Sequence, residues 1–282
     1  MKSVQQKVVV ITGAGSGIGR ALAANLAGRG AILALSDVDA DGLAATVAAL
    51  GNAKVRSDRL DVRDRDAMAG YAASVVEEFG RVDALINNAG VALTGNVADM
   101  TYADLEWIID IDFWGVVNGT KEFLPHLIAS GDAHLVNISS LFGLMAVPGQ
   151  SAYNAAKFAV RGFTESLRQE MLIAGQPVAV SCVHPGGIKT AIARNARVAA
   201  GEDQAALADY FDRKLAKTTP ERAAEVIVTG MLASKPKIVV GADAKVLDAM
   251  VKLLGARYQN VVAAVTKRQV PKAASSQSRL VP

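Results

Sequence analysis

The sequence predicts an α/β fold of the doubly wound kind, with a seven-stranded parallel sheet covered by helices on both faces. Short β-branched runs alternate with long helical patterns from residue 7 to residue 240. Two of the runs, "KVVVIT" and "PVAVSCV", are apolar almost throughout, as burial on both faces of a sheet demands. No linker interrupts the alternation, so residues 1–266 read as one domain.

In chain order, the expected strands are 7–12, 31–36, 54–60, 82–87, 133–138, 177–183 and 237–240. Helical spacing fills 17–29, 40–50, 64–79, 101–130, 153–174 and 219–233 between them. Residues 190–217 form a weakly patterned insertion, expected to be a small substrate lid. Over 244–266, Val246, Met250, Leu253 and Leu254 recur at helical spacing and predict an amphipathic C-terminal helix. Residues 267–282 read as a basic, flexible tail.

The 282 residues are 51% hydrophobic and 20% charged, enough for a large core and too apolar for disorder. The net charge of +3 belongs to the tail: without Lys267, Arg268, Lys272 and Arg279, residues 1–266 carry −1. A nucleic-acid partner is not expected of such a domain. The N-terminal apolar run is too short for a secretory core, and no segment approaches the roughly 18 apolar residues of a membrane span. With Cys182 as its single cysteine, the chain is expected in a reducing, cytoplasmic setting, away from membranes. His126, His134 and His184 have no metal-ligand spacing and read as structural.

In "VVVITGAGSGIGRALA", Gly13, Gly17 and Gly19 lie between a strand and a helix, with Ser16 and Ile18 between them. Glycine there permits a tight turn, close backbone approach to a pyrophosphate, and helix–sheet packing, while amides at the helix start bind the anion. Asp37, at the end of the second strand, suits the two adenosine ribose hydroxyls and repels a 2′-phosphate. Val38 and Ser16 occupy positions where a cation would favour NADP, so the pattern favours NAD. Gly13, Asp37, Asp61, Asn88, Ser140 and Pro185 all fall at the carboxyl ends of expected strands, the edge where open α/β sheets bind ligands.

The motifs "TGAGSGIG", Asp37, "DV" at Asp61–Val62, "NNAG" at Asn87–Gly90, "NISS" at 137–140, "YNAAK" at 153–157 and "PGGIKT" at 185–190 span most of the chain. Together they resemble the classical short-chain dehydrogenase/reductase family. The resemblance implies a single Rossmann-type domain and a homotetramer or homodimer built on the helices carrying Trp107–Leu127 and Tyr153–Leu172. It also implies that Asp61 and Val62 flank the adenine, that Asn88, Ala89 and Gly90 line the cofactor channel, and that Pro185, Gly186, Ile188 and Thr190 hold the nicotinamide end.

Tyr153 and Lys157 are four residues apart and share a helix face. A neighbouring ammonium favours the phenolate of a tyrosine that otherwise titrates near pH ~10. Tyr153 is therefore the expected acid/base and Lys157 its activator and a ribose ligand, and the resemblance implies that Ser140, thirteen residues before Tyr153, is the donor to the substrate oxygen. Asp112 stands where the family usually has asparagine, and Asn118 is too far around the helix to replace it. A carboxylate at 112 can pair with Lys157, or stay protonated and imitate the amide, or matter less than the backbone there.

The expected wall of the substrate site is apolar: Val91, Leu93, Leu141, Phe142, Leu144, Met145, Val147, Ile188, Ile192, Tyr210 and Phe211. The expected function is NAD(P)-dependent interconversion of a hydrophobic secondary alcohol and its ketone. The alternatives are a 3-oxoacyl thioester reductase steered by Arg194, Arg197 and Lys214, and an NAD-binding sensor or scaffold whose turnover Asp112 has weakened.

Overall fold

A computed structural model of the chain describes residues 1–269. Strands β1 (Val8–Thr12), β2 (Ile32–Asp37), β3 (Val55–Arg59) and β4 (Ala84–Asn87) alternate with helices α1 (Gly17–Ala27), α2 (Ala40–Ala49) and α3 (Arg65–Phe79). A two-residue strand β5 (Leu93–Thr94) precedes α4 (Tyr102–Ile109), and α5 (Gly115–Ser130) leads to β6 (Ala133–Ile138). Then follow α6 (Ser151–Ile173), β7 (Val178–Pro185), a short β8 (Arg197–Val198), α7 (Gln204–Tyr210), α8 (Pro220–Leu232), β9 (Lys237–Val240), α9 (Ala242–Leu254) and α10 (Tyr258–Gln269).

The main sheet is parallel, in the order β3-β2-β1-β4-β6-β7-β9. Chain direction across it reverses between β1 and β4, which opens a crevice at their carboxyl ends. This is the seven-stranded Rossmann-type architecture that the alternation predicts. Both faces are sealed: Leu22, Leu26, Ile227 and Met231 cover one, and Met68, Phe123, Leu127 and Leu167 cover the other.

Local signals set the helix ends. Asp39, Asp64 and Asp203 cap α2, α3 and α7 through bonds to backbone amides two or three residues into each helix. Thr101 and Asp104 form a reciprocal capping box at α4, and Thr219 caps α8 ahead of Pro220.

Two expected helices prove to be interrupted. The stretch 101–130 consists of α4, a π turn at Asp110–Trp114, and α5. A single π turn adds one residue and scarcely disturbs the apolar spacing, so the pattern reads as continuous. The C-terminal stretch 244–266 is two helices, α9 and α10, broken at Gly255, whose φ of 53° is a left-handed value that glycine adopts freely. The basic tail expected over 267–282 begins inside α10, and its part from 270 onward lies outside the described residues.

The 190–217 insertion is tied down at one end. Its strand β8 pairs with β5, and Arg197 stacks 3.8 Å above the Trp107 ring. No helix among the described residues is long and apolar enough to cross a membrane.

Candidate active site

The crevice begins at the glycine loop. Gly13 and Gly17 have φ of 67° and 50°. A Cβ on Gly19 would lie 2.0 Å from the Gly13 carbonyl oxygen, and one on Gly13 would lie 2.6 Å from Ala89 Cα, so loop and β4 edge meet backbone to backbone. The Asn88 amide fixes this contact by donating to the Thr12 and Gly13 carbonyls at 3.0 and 2.9 Å. Thr12 Oγ1 accepts from the Asn88 and Ala89 amides. Gly17 faces Thr190 across the cleft, where an added Cβ would be 3.0 Å from Thr190 Cγ2. Glycines packed this closely, at the start of α1 and at the switch point of the sheet, fit a dinucleotide pyrophosphate.

Asp37 is held with one oxygen accepting from Gly15 N at 2.7 Å and the other from Asp39 N at 2.9 Å, and each oxygen keeps a further acceptor site. Arg20 turns to the Gly15 and Gly42 carbonyls and to Thr46 Oγ1. Arg59 donates to the Val38 carbonyl at 3.2 Å, beside Asp37. Asp61 is gripped by Arg63, with 2.6 Å between Oδ2 and Nη2, and that hydrogen bond holds its carboxyl below the usual range despite partial burial. Val62 packs against Gly115, and Asn118 donates to the Val62 carbonyl at 3.0 Å, far from the position of Asp112.

At the other end of the crevice, Tyr153 and Lys157 sit one turn apart on α6, both buried, with Lys157 Nζ 5.6 Å from the phenol ring centroid. The π turn delivers Asp112 to the same point. Its Oδ2 is 3.1 Å from Lys157 Nζ and its Oδ1 accepts from Val91 N at 2.8 Å. Gly90 lies over the pair, where a Cβ would be 3.2 Å from Nζ.

Burial pushes the Asp112 carboxyl above its usual range, against the pull of Lys157 and the Val91 amide. Burial opposes the charge of Lys157, yet Asp112 and Tyr153 outweigh it and hold the ammonium above its ordinary value. Burial also raises the Tyr153 phenol; Lys157 pulls it down, Asp112 adds to the rise, and the Ser140 hydroxyl opposes it. Ser140 caps the 3₁₀ turn that follows β6 by accepting from Phe142 N at 3.1 Å. Beneath it His184 Nδ1 meets the Ser140 carbonyl at 3.0 Å, and burial takes this imidazole down to about 4.

The apolar wall is only partly as expected. Phe142 stands edge-on to Tyr153, with ring centroids 6.1 Å apart. Leu141 and Met145 instead pack into a cluster with Ala244 and Tyr258, and Leu93 packs under Ile108 and Ala152, which leaves these three little surface for a ligand. The loop of Leu141 and Met145 folds against the C-terminal helices, a contact that spacing within the loop cannot reveal. Leu144 and Ile188 are also buried, while Val91, Val147, Ile192 and Phe211 are half-buried and Tyr210 is exposed.

Several supporting residues stand inside the quoted motifs, which assign them no role of their own. Asn87 donates to Asn137 Oδ1 at 2.9 Å and to Thr120 Oγ1 at 3.1 Å, and Asn137 donates to Thr164 Oγ1 at 3.0 Å. This buried ladder ties β4 and β6 to α5 and α6 under the site. Its signal was a pair of amides in strands otherwise apolar. Asn154 holds the 141–147 loop through the Phe142 and Met145 carbonyls and the Val147 amide.

Residues 7–200 match the short chain dehydrogenase family. The chain belongs to the short-chain dehydrogenase/reductase family. It is 62% identical over 274 residues to SadH of Mycobacterium tuberculosis, a protein described as an oxidoreductase, covering 96% of this chain and 99% of that one. A short-chain dehydrogenase/reductase from Burkholderia phymatum, solved in complex with NAD, superposes with a TM-score of 0.84 at 31% identity, over 92% of this chain and 98% of that one. Levodione reductase superposes with a TM-score of 0.76 at 30% identity, over 87% of this chain and 99% of that one. For a short-chain dehydrogenase/reductase, the buried Asp112–Lys157 pair is the feature of this site that the family motifs do not anticipate.

Proposed function

We propose that this oxidoreductase interconverts a hydrophobic secondary alcohol and its ketone with a nicotinamide dinucleotide, and that Tyr153 is its acid/base. The observation that carries this reading is the convergence of Tyr153, Lys157 and the Ser140 turn at the carboxyl edge of the sheet, beside the glycine channel. A nicotinamide dinucleotide held in the crevice would supply hydride to the ketone carbon or take it from the alcohol. Tyr153 gives its phenolic proton to the carbonyl oxygen as charge develops there, and its phenolate takes the proton back in the oxidative direction. Ser140 donates to the same oxygen. Lys157 holds a positive charge beside the phenol, and Asp112 tempers it.

Gly13, Ser16, Gly17, Ile18 and Gly19 would hold the pyrophosphate, Asp37 the adenosine ribose, and Asn88, Ala89, Gly90, Pro185, Gly186, Ile188 and Thr190 the nicotinamide half. The free acceptor sites of Asp37 support NAD over NADP. The apolar side chains of Phe142, Val147, Ile192 and Phe211 support a hydrophobic substrate under a lid formed by 190–217. The thioester alternative loses two of its three cations: Arg194 pairs with Asp212, and Arg197 lies on Trp107 with Asp104 at 3.9 Å. Exposed Trp114 on the π turn and exposed Phe158, Leu172 and Ile173 on α6 support a homodimer or homotetramer, and one buried, unpaired Cys182 suits a cytoplasmic protein.

The test is a panel of secondary alcohols and ketones followed through NADH absorbance. Turnover that favours alkyl, aryl or alicyclic members is expected. Cofactor binding without turnover across the panel would instead support the sensor reading.

A further inference from the structure

We propose that the C-terminal helices α9 and α10 clamp the two loops that frame the reaction centre, with Tyr258 and Asp243 as positioning residues. The two contacts come from different helices and reach different loops. Tyr258, buried at the start of α10, accepts through its hydroxyl from Ala146 N at 2.9 Å. Ala146 itself is exposed, and it lies in the loop that Asn154, next to Tyr153, holds from the other side. Leu141 and Met145 press the same loop into the cluster around Tyr258, and Phe142 carries it onto the Tyr153 ring. The loop that begins at Ser140 is thus fixed between the catalytic helix and α10.

Asp243, in the first turn of α9, does the equivalent on the loop after β7. Its Oδ2 accepts from Gly187 N at 2.8 Å. The carboxylate fills space that only glycines leave: a Cβ on Gly186 would lie 2.3 Å from Oδ2, and one on Gly241 would lie 2.4 Å from Oδ1. Oδ1 is buried and, among the described residues, has no hydrogen-bond partner, so the group is held there at a desolvation penalty. The other side of the Gly187 peptide unit faces the insertion, since its carbonyl accepts from Lys217 N and Thr218 N at 3.0 and 3.1 Å. Gly187 therefore joins α9 to the end of the 190–217 segment, next to Ile188 and Thr190.

The inference rests on the proposed reading for the identity of the reaction centre, while its test reads the two amides directly. Hydrogen exchange is measured on the full chain as wild type, Tyr258→Phe, Asp243→Ala and Asp243→Asn, with NADH affinity by fluorescence titration. Tyr258→Phe is expected to raise exchange over 141–147 by roughly fivefold or more, the loss of one hydrogen bond, without changing 185–190. NADH affinity stays within about twofold of wild type, and the KM for a panel ketone rises while kcat is retained.

Asp243→Ala is expected to raise exchange over 185–190 and to weaken NADH binding by roughly fivefold or more, and Asp243→Asn, which keeps an acceptor oxygen, restores both. Exchange and NADH binding need no turnover, so a protein inactive on every alcohol still answers the question. Unchanged exchange over 141–147 in Tyr258→Phe, or NADH affinity unmoved by Asp243→Ala, overturns the clamp. So does an Asp243→Asn variant no better than Asp243→Ala.

Discussion

Lys157 Nζ lies 3.1 Å from Asp112 Oδ2, with both groups buried at the floor of the cleft. A lone lysine would favour the Tyr153 phenolate, whereas an ion-paired lysine does so less, and the carboxylate adds its own repulsion. The pair therefore keeps the phenol protonated to higher pH, the form that the proposed mechanism uses for ketone reduction.

Asp112→Asn tests this sign directly. In the proposed mechanism oxidation of an alcohol requires the Tyr153 phenolate, so its rate is expected to rise as pH climbs through the Tyr153 pKa. Removing the carboxylate lowers that pKa, and the alkaline limb of the oxidation profile is expected at lower pH than in wild type. A profile that does not move means that the Asp112 carboxyl is protonated and already imitates an amide.

Gly19→Ala places a methyl group 2.0 Å from the Gly13 carbonyl oxygen and 2.8 Å from its carbon, both rigid backbone. The glycine loop must open to admit it. The expected result is a loss of about 1–3 kcal/mol of stability in urea unfolding, with NADH affinity reduced more than that of a surface control such as Gly70→Ala, where a Cβ meets nothing within 4 Å.

Asp37→Ala removes acceptors for the ribose hydroxyls together with the repulsion of a 2′-phosphate. A hydrogen bond to a charged group contributes about 1.5–3 kcal/mol, so NAD efficiency should fall by about tenfold or more while NADP efficiency holds or rises. The measurement is the ratio of kcat/KM for the two cofactors at fixed salt. A wild type that already prefers NADP would place Arg59, bonded to the Val38 carbonyl beside Asp37, at the 2′-position instead.

Light scattering at micromolar concentration is expected to give a multiple of the 29.3 kDa chain mass. Ile173, 87% exposed at the end of α6, and Leu172 beside it are the residues whose replacement by Glu should shift that mass downward. A monomer in the wild type removes this assignment.

Much of the architecture was legible in advance because most strands of the main sheet are short apolar runs separated by helices, several of which begin at a capping Asp or Thr. All seven strands of the main sheet fall where the pattern puts them, to within one or two residues. Tyr153, Lys157 and Asp112 were legible as a group because helical spacing and one departure from a motif point to the same place. The interrupted helices were not, since a π turn hardly alters apolar spacing and Gly255 sits inside an amphipathic pattern. Nor was the fate of Leu141 and Met145, which depends on where α9 and α10 return to the fold. Contacts between loops and a distant terminus leave no periodic trace in either partner.

The central claim is that the Tyr153 hydroxyl carries the proton, and Tyr153→Phe measures it with the least disturbance, because it deletes one oxygen from a buried ring. Turnover of any active alcohol or ketone is expected to fall by at least about two orders of magnitude, while NADH titrates with affinity close to wild type. Substantial turnover in the phenylalanine variant would assign the acid/base to another group and contradict the account.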